Sequence, residues 1–156
     1  ASYLYLGRLL KGMKVTEGFE YSLLRYGIYY YFISSLAVWF VPVALLKFGK
    51  SILYYDLVYF YLHFLYNGFF VFVLFSLFIK SVQQDQSVFE YRYLKRGLFL
   101  LNLAVIPTYF LSVYWYTSNS IVVVIGATGA VIQIMAVLFL LKSFSSFLIN
   151  FLSIFD

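Results

Sequence analysis

The sequence predicts an all-α fold: a polytopic transmembrane helical bundle of about four spans, with amphipathic or interfacial segments at its ends. Three observations lead there. Hydrophobic residues make up 64% of the chain and charged residues 11%, against about a quarter charged in a soluble domain. Mean hydropathy is +0.91, whereas a soluble fold of this length leaves roughly a third of its unfolded surface in water. Finally, the apolar residues gather into four runs, each near the roughly 20 residues a helix needs to cross a bilayer.

The elements follow in chain order. Residues 1–23 mix apolar and basic residues ("YLYLGRLLKGMK"), which predicts an amphipathic helix lying on the membrane surface. That stretch has no continuous apolar run ending in a small-residue cleavage site, so it does not read as a signal peptide. The first span covers 26–46 and the second 57–79. Between them lies "KFGKSILYYD", in which Gly49 is the natural helix stop. The third span covers 97–116 and the fourth 121–141, joined by "TSNS", a link short enough to force an antiparallel hairpin. Residues 80–96, "KSVQQDQSVFEYRYLKR", form the one clearly polar loop. The tail "SFSSFLINFLSIFD" is short for a span and is expected at the interface. With no internal repeat expected and no low-complexity linker, residues 1–156 read as a single membrane domain.

Charge sets the expected orientation. Arg8, Lys11, Lys14, Arg25, Lys80, Arg92, Lys95, Arg96 and Lys142 fall on one side of the four spans, and only Lys47 and Lys50 on the other. Basic residues accumulate on the cytoplasmic side of short loops. Both termini and the polar loop are therefore expected on the cytoplasmic or matrix side, in a bacterial inner membrane or, alternatively, a mitochondrial inner membrane.

Composition also excludes functions. The chain has no cysteine, which removes disulfides, thiolate metal sites and thiol catalysis. Its +5 net charge sits in short clusters beside apolar runs rather than along one face, so nucleic acid is not an expected partner. No Ser–His–Asp set converges, no His-x-x-x-His or Glu-x-x-His pair exists, and no carboxylates pair for acid–base work. Catalysis by this chain alone is not expected, and no catalytic residue or metal site is assigned.

Chemistry is hinted at only in "YLHFLYNGFF", residues 61–70, where the chain's single histidine sits in an apolar span. His63 and Asn67 are four residues apart and share a helix face, with Asp56 two turns before His63. Ser34, Ser35, Thr108 and Gln133 bring polar groups to comparable depth on the other spans, with Asn102 and Ser112 nearer the ends of the third. Polar groups inside a bilayer need partners, so this set is expected to form a polar seam. Three readings compete: hydrogen bonds across helices and to carbonyls freed by Pro42 and Pro107; haem b ligation by His63; or a path for a proton, ion or small solute. A bis-histidine haem would need its second ligand from another subunit. Gly68 and the "GATGA" stretch, with Gly126, Ala127, Gly129 and Ala130, mark expected close helix packing. Aromatic residues reach 24%; Tyr54, Tyr55, Trp115 and Tyr116 suit an interfacial belt, and the remainder suits packing against lipid and neighbouring helices.

The runs "FISSLAVWFVPVAL", "LVYFYLHFLYNGFFVFVLFSLF" and "IPTYFLSVYW" resemble a family of uncharacterised multi-spanning membrane proteins of Bacteroidetes. That family carries a Ser-Ser-Leu helix, then a His-Phe-x-Tyr/Phe-Asn-Gly helix, a Tyr-Phe-Leu-Ser segment and a Gln-containing helix. The matching positions are Ser34, Ser35, Leu36, His63, Phe64, Tyr66, Asn67, Gly68, Phe69, Tyr109, Phe110, Leu111, Ser112 and Gln133. Phe69 departs from the pattern, standing where the family usually has Trp. The chain is also much shorter than family members, which reads as a fragment or one subunit of a split protein. The resemblance implies a membrane bundle and no particular activity. The expected function is a non-catalytic membrane subunit that packs into a larger, respiratory-type complex. Its expected partners are the lipid bilayer and other membrane subunits or copies of itself. A haem b subunit using His63 and an oligomeric channel or transporter lined by the second helix are the alternatives.

Overall fold

The computed structural model describes residues 2–13, 18–82, 90–116 and 119–152, and these form helices and short turns only. Helix α1 is Ser2–Gly12 and α2 is Phe19–Phe48. Helix α3, Ile52–His63, runs through a π-helical segment, Phe64–Phe70, into α4, Val71–Val82. Helix α5, Tyr91–Ser112, ends in a 3₁₀ turn at Tyr114–Tyr116, and α6 is Ser120–Leu152. Four stretches are long and apolar enough to cross a membrane: Phe19–Phe48, Ile52–Ser81, Tyr91–Tyr116 and Ser120–Ser145. The chain is an all-α integral membrane protein.

Two compact units divide it, Ala1–Ser81 and Val82–Asp156. The first is a hairpin of α2 against α3, the π segment and α4, with α1 laid on α2. The second is a hairpin of α5 against α6. Of the expected features, Lys14, residues 83–89 of the polar loop, Thr117 and Ser118 of the short turn, and the last four residues of the tail lie outside the described residues.

The helices reach beyond the expected spans: α3 begins at Ile52, five residues before the expected second span, and α5 at Tyr91, six before the third, so residues 91–96 of the expected polar loop are helical. The N-terminal stretch is not one surface helix through residue 23: α1 stops at Gly12, and α2 begins at Phe19, seven residues before the expected span. Glu20 stands in the first turn of α2, where a carboxylate complements the helix dipole. Helix α1 packs along α2 through Tyr3, whose ring meets Tyr31 at 6.0 Å and Phe32 at 5.8 Å. At the far end, α6 continues through Leu152, because no Gly or Pro interrupts it after Ala130. Its 33 residues span about 50 Å, more than the roughly 30 Å hydrocarbon core.

The turns have local causes. Gly49 ends α2 with φ 64° and ψ −154°, its N–H donating to the Leu45 carbonyl. This backbone region is essentially closed to residues with a Cβ. Ser51 then caps α3 by accepting from the Tyr54 N–H. Asn119 does the same for α6, its side-chain oxygen accepting from the Ile121 N–H at 2.9 Å. Gly49→Ala is expected to cost about 1–3 kcal/mol, read as a lower unfolding temperature of the purified protein in detergent.

The hairpins also reveal an internal repeat, contrary to the expectation of none. Residues 19–28, "FEYSLLRYGI", and 89–98, "FEYRYLKRGL", share Phe-Glu-Tyr-x-x-Leu-Arg/Lys-x-Gly-Ile/Leu. The geometry repeats with them. Ser76 on α4 donates to the Glu20 carbonyl at 2.8 Å, and Ser143 on α6 to the Glu90 carbonyl at 3.2 Å. A Cβ on Gly27 would meet Val73 and the Phe69 carbonyl; a Cβ on Gly97 would meet Leu140 and the Ala136 carbonyl. Each serine thus follows its glycine's neighbours by the same helical spacing, three and seven residues. Both hairpins open with one module, a serine latch over a buried glycine. Hydropathy hides it because the shared residues are sparse and the offset changes where the second hairpin's turn is shorter.

Candidate functional site

The hairpins part company beyond that shared end. In the first, the second helix widens into the π turn over "FLYNGFF", whereas the described α6 stays regular. Within the π segment the ladder shifts to five-residue bonds, as where the Val71 N–H meets the Tyr66 carbonyl. Such turns are rare and concentrate at functional sites. No periodicity in the sequence announces this one; Gly68 beside Asn67 is the only local hint.

An aromatic wedge fills the widened turn. The Tyr30 ring on α2 stacks on Phe64 at 6.0 Å and on Phe72 at 5.8 Å. Those two rings are eight residues apart, about 12 Å along a helix, so a third ring fits between them. Gly68 lies midway, and a Cβ there would sit 2.5 Å from Tyr30 Cγ. All four residues are buried. The second helix therefore grips α2 through a ring seated on a glycine.

His63 and Asn67 flank this wedge. Asn67 Nδ2 lies 3.3 Å from His63 Nδ1, and the imidazole meets the edge of Phe64 at 5.3 Å. His63 is buried, while Asn67 is exposed on its own hairpin. Two proton arrangements satisfy the pair. The amide donates to a bare Nδ1, or, turned over, accepts from Nδ1–H. Asp56 is half-buried near the start of α3, two turns from the imidazole.

The other seam residues behave differently from the expected cross-helix network. Ser34 and Ser35 donate to the Tyr31 and Phe32 carbonyls of their own helix, each at 2.9 Å. Thr108 donates to Ala104 at 2.7 Å and to Val105 at 3.2 Å, also on its own helix. Each hydroxyl finds a carbonyl one turn back on its own helix. Cross-helix hydrogen bonds come instead from Ser76 and Ser143, which the sequence reading passed over. Gln133 is half-buried on α6, in the other unit from His63.

Helix α6 meets α5 through small residues. A Cβ on Gly129 would lie 2.7 Å from the Thr108 nitrogen and 2.9 Å from the Pro107 carbonyl carbon, and one on Gly126 would lie 2.7 Å from Leu111. Ala127 is exposed and Ala130 half-buried. Among the described residues, no group of three or more His, Cys, Asp or Glu is placed to hold a metal ion. No protein-family model matches the chain, and neither the curated proteins nor the solved structures yield a match.

Proposed function

We propose that the chain is a non-catalytic integral membrane subunit whose first hairpin packs against a further membrane helix at Asn67. The supporting observation is the position of that amide. Asn67 is the sixteenth of the 31 residues from Ile52 to Val82, about 22 Å from either end, and it is exposed on its hairpin. Its bond to His63 uses one of its hydrogen-bonding functions; the rest face outward at mid-membrane. Hydrocarbon offers them nothing, so a helix outside this hairpin supplies the partners. Interhelical bonds of this kind contribute about 0.6–2 kcal/mol each.

The aromatic wedge favours this reading over a solute path. Phe64 lies against His63 and is itself stacked on Tyr30, and the Ser34, Ser35 and Thr108 hydroxyls are spent on their own helices. The haem alternative draws on one feature, the arrangement in which Nδ1 carries the proton and Nε2 is the acceptor nitrogen. In the proposed orientation the module ends of both hairpins, with Arg25, Lys80, Arg92, Lys95, Arg96 and Lys142, face the cytoplasm of a bacterial inner membrane. The excess of basic residues at those ends supports it.

Gently solubilised native protein tests the proposal through its mass and optical spectrum. The expected result is a colourless protein in an assembly much larger than 18.3 kDa, dissociated by Asn67→Leu. A Soret band lost in His63→Ala would replace the proposal with haem binding. A colourless small homo-oligomer unaffected by Asn67→Leu would redirect it to solute flux.

A further inference from the structure

Two open apolar grooves flank Phe139 in the second hairpin. One, of about 280 Å³, is lined by Tyr93, Met135, Leu138, Phe139 and Lys142. The other, of about 250 Å³, is lined by Arg96, Phe99, Leu100 and Phe139. Phe139 is the wall they share, and its ring stacks on Tyr93 at 6.0 Å.

Each groove has a cation at one end and hydrocarbon along the rest. On α6, Lys142, Phe139 and Met135 succeed one another along a single face, covering seven residues or about 10 Å. On α5, Arg96 precedes Phe99 by one turn. Lys142 Nζ stands 4.3 Å from the Tyr93 ring centre, and both Lys142 and Arg96 are exposed. Arg92 and Lys95 lie on the same end of α5, and Glu90 is the one carboxylate there among the described residues. The end of the hairpin therefore carries net positive charge directly above apolar clefts.

The equivalent end of the first hairpin is filled by the chain itself. Arg25, which matches Lys95 in the repeat, donates to the Met13 carbonyl, and Met13 is buried there. In the second hairpin the same end carries the two grooves.

From this pattern we infer that the second hairpin holds an anionic phospholipid, its phosphate against Lys142 and Arg96 and its acyl chains in the grooves beside Phe139. Charge complementarity selects the headgroup, because a zwitterionic lipid would bring its own cation to a cationic end. The apolar clefts select a lipid over a free phosphate. Basic pockets between spans on the cytoplasmic side are the usual setting for such sites. The inference rests on the membrane-spanning hairpin and not on the subunit role, so either can fail alone.

Native mass spectrometry of the full chain tests it, using phosphatidylglycerol and phosphatidylcholine of equal chain length. The expected result is retention of phosphatidylglycerol over phosphatidylcholine, weakened at least about tenfold by Arg96→Gln with Lys142→Gln. Phe139→Ala, which keeps both charges and opens the wall between the grooves, is expected to weaken retention as well. Lys47→Gln, at the other end of the first hairpin, should leave it unchanged. Equal retention of the two lipids would overturn the site, as would full retention in the double variant. Retention unaffected by Phe139→Ala, or equal protection by glycerol 3-phosphate alone, would reduce it to non-specific attraction and overturn it too.

Discussion

Gly129→Leu leaves the second hairpin unable to close. The added Cβ alone would lie 2.7 Å from the Thr108 nitrogen and 2.9 Å from the Pro107 carbonyl carbon, so backbone, not a movable side chain, blocks it. Pro107 makes that backbone harder to shift, since its ring fixes φ. Overpacking costs about 1–3 kcal/mol where side chains can adjust, and here the cost is expected at or above the upper figure. Size-exclusion profiles and unfolding temperatures of an Ala, Val and Leu series at this position should worsen in that order. A Leu variant as monodisperse and stable as the parent would contradict the close α5–α6 contact.

Gly68→Leu is expected to open the first hairpin at the π turn, with a different signature. The obstacle there is the Tyr30 ring, 2.5 Å at Cγ from the added Cβ, wedged between Phe64 and Phe72. Displacing it exposes three rings and costs about 3–5 kcal/mol, the scale of losing a buried aromatic. Because the obstacle is a side chain, Tyr30→Ala in the same protein should recover part of the loss, giving a coupling beyond 0.5 kcal/mol in a double-mutant cycle. No truncation should rescue Gly129→Leu, whose obstacle is backbone. The two glycines thus separate ring-limited from backbone-limited packing.

Much of the fold was legible because a membrane imposes it. The four spans follow from run length, and Gly49 marks a stop because few other residues adopt its backbone angles. What sequence reading missed lies in register and not in composition. The π turn adds no unusual residue to "FLYNGFF"; it changes which carbonyl each N–H reaches. Hydroxyls at Ser34, Ser35 and Thr108 look like cross-helix donors until each is found donating to a carbonyl of its own helix. Ser76 and Ser143 look unremarkable until each is found opposite the first turn of its partner helix. The repeat was spelled out in "FEYSLLRYGI" and "FEYRYLKRGL", but only the matching latches gave that likeness structural meaning. At the candidate site, the His63–Asn67 pairing followed from four-residue spacing. Close packing at Gly68 was legible too, but the outward face of Asn67 and the Tyr30 ring seated on Gly68 were not, since both depend on where the widened turn points.

The central claim is that the first hairpin meets another membrane subunit around Asn67. The chain has no cysteine, so Tyr66→Cys gives a unique attachment point for a spin label beside Asn67, at a residue 57% exposed. Its accessibility to oxygen and to a water-soluble nickel complex should be compared between native membranes and the purified chain in nanodiscs. The account predicts an oxygen-accessible label in nanodiscs that becomes shielded from both probes in native membranes. Equal oxygen accessibility in the two settings would place that face in lipid and contradict it.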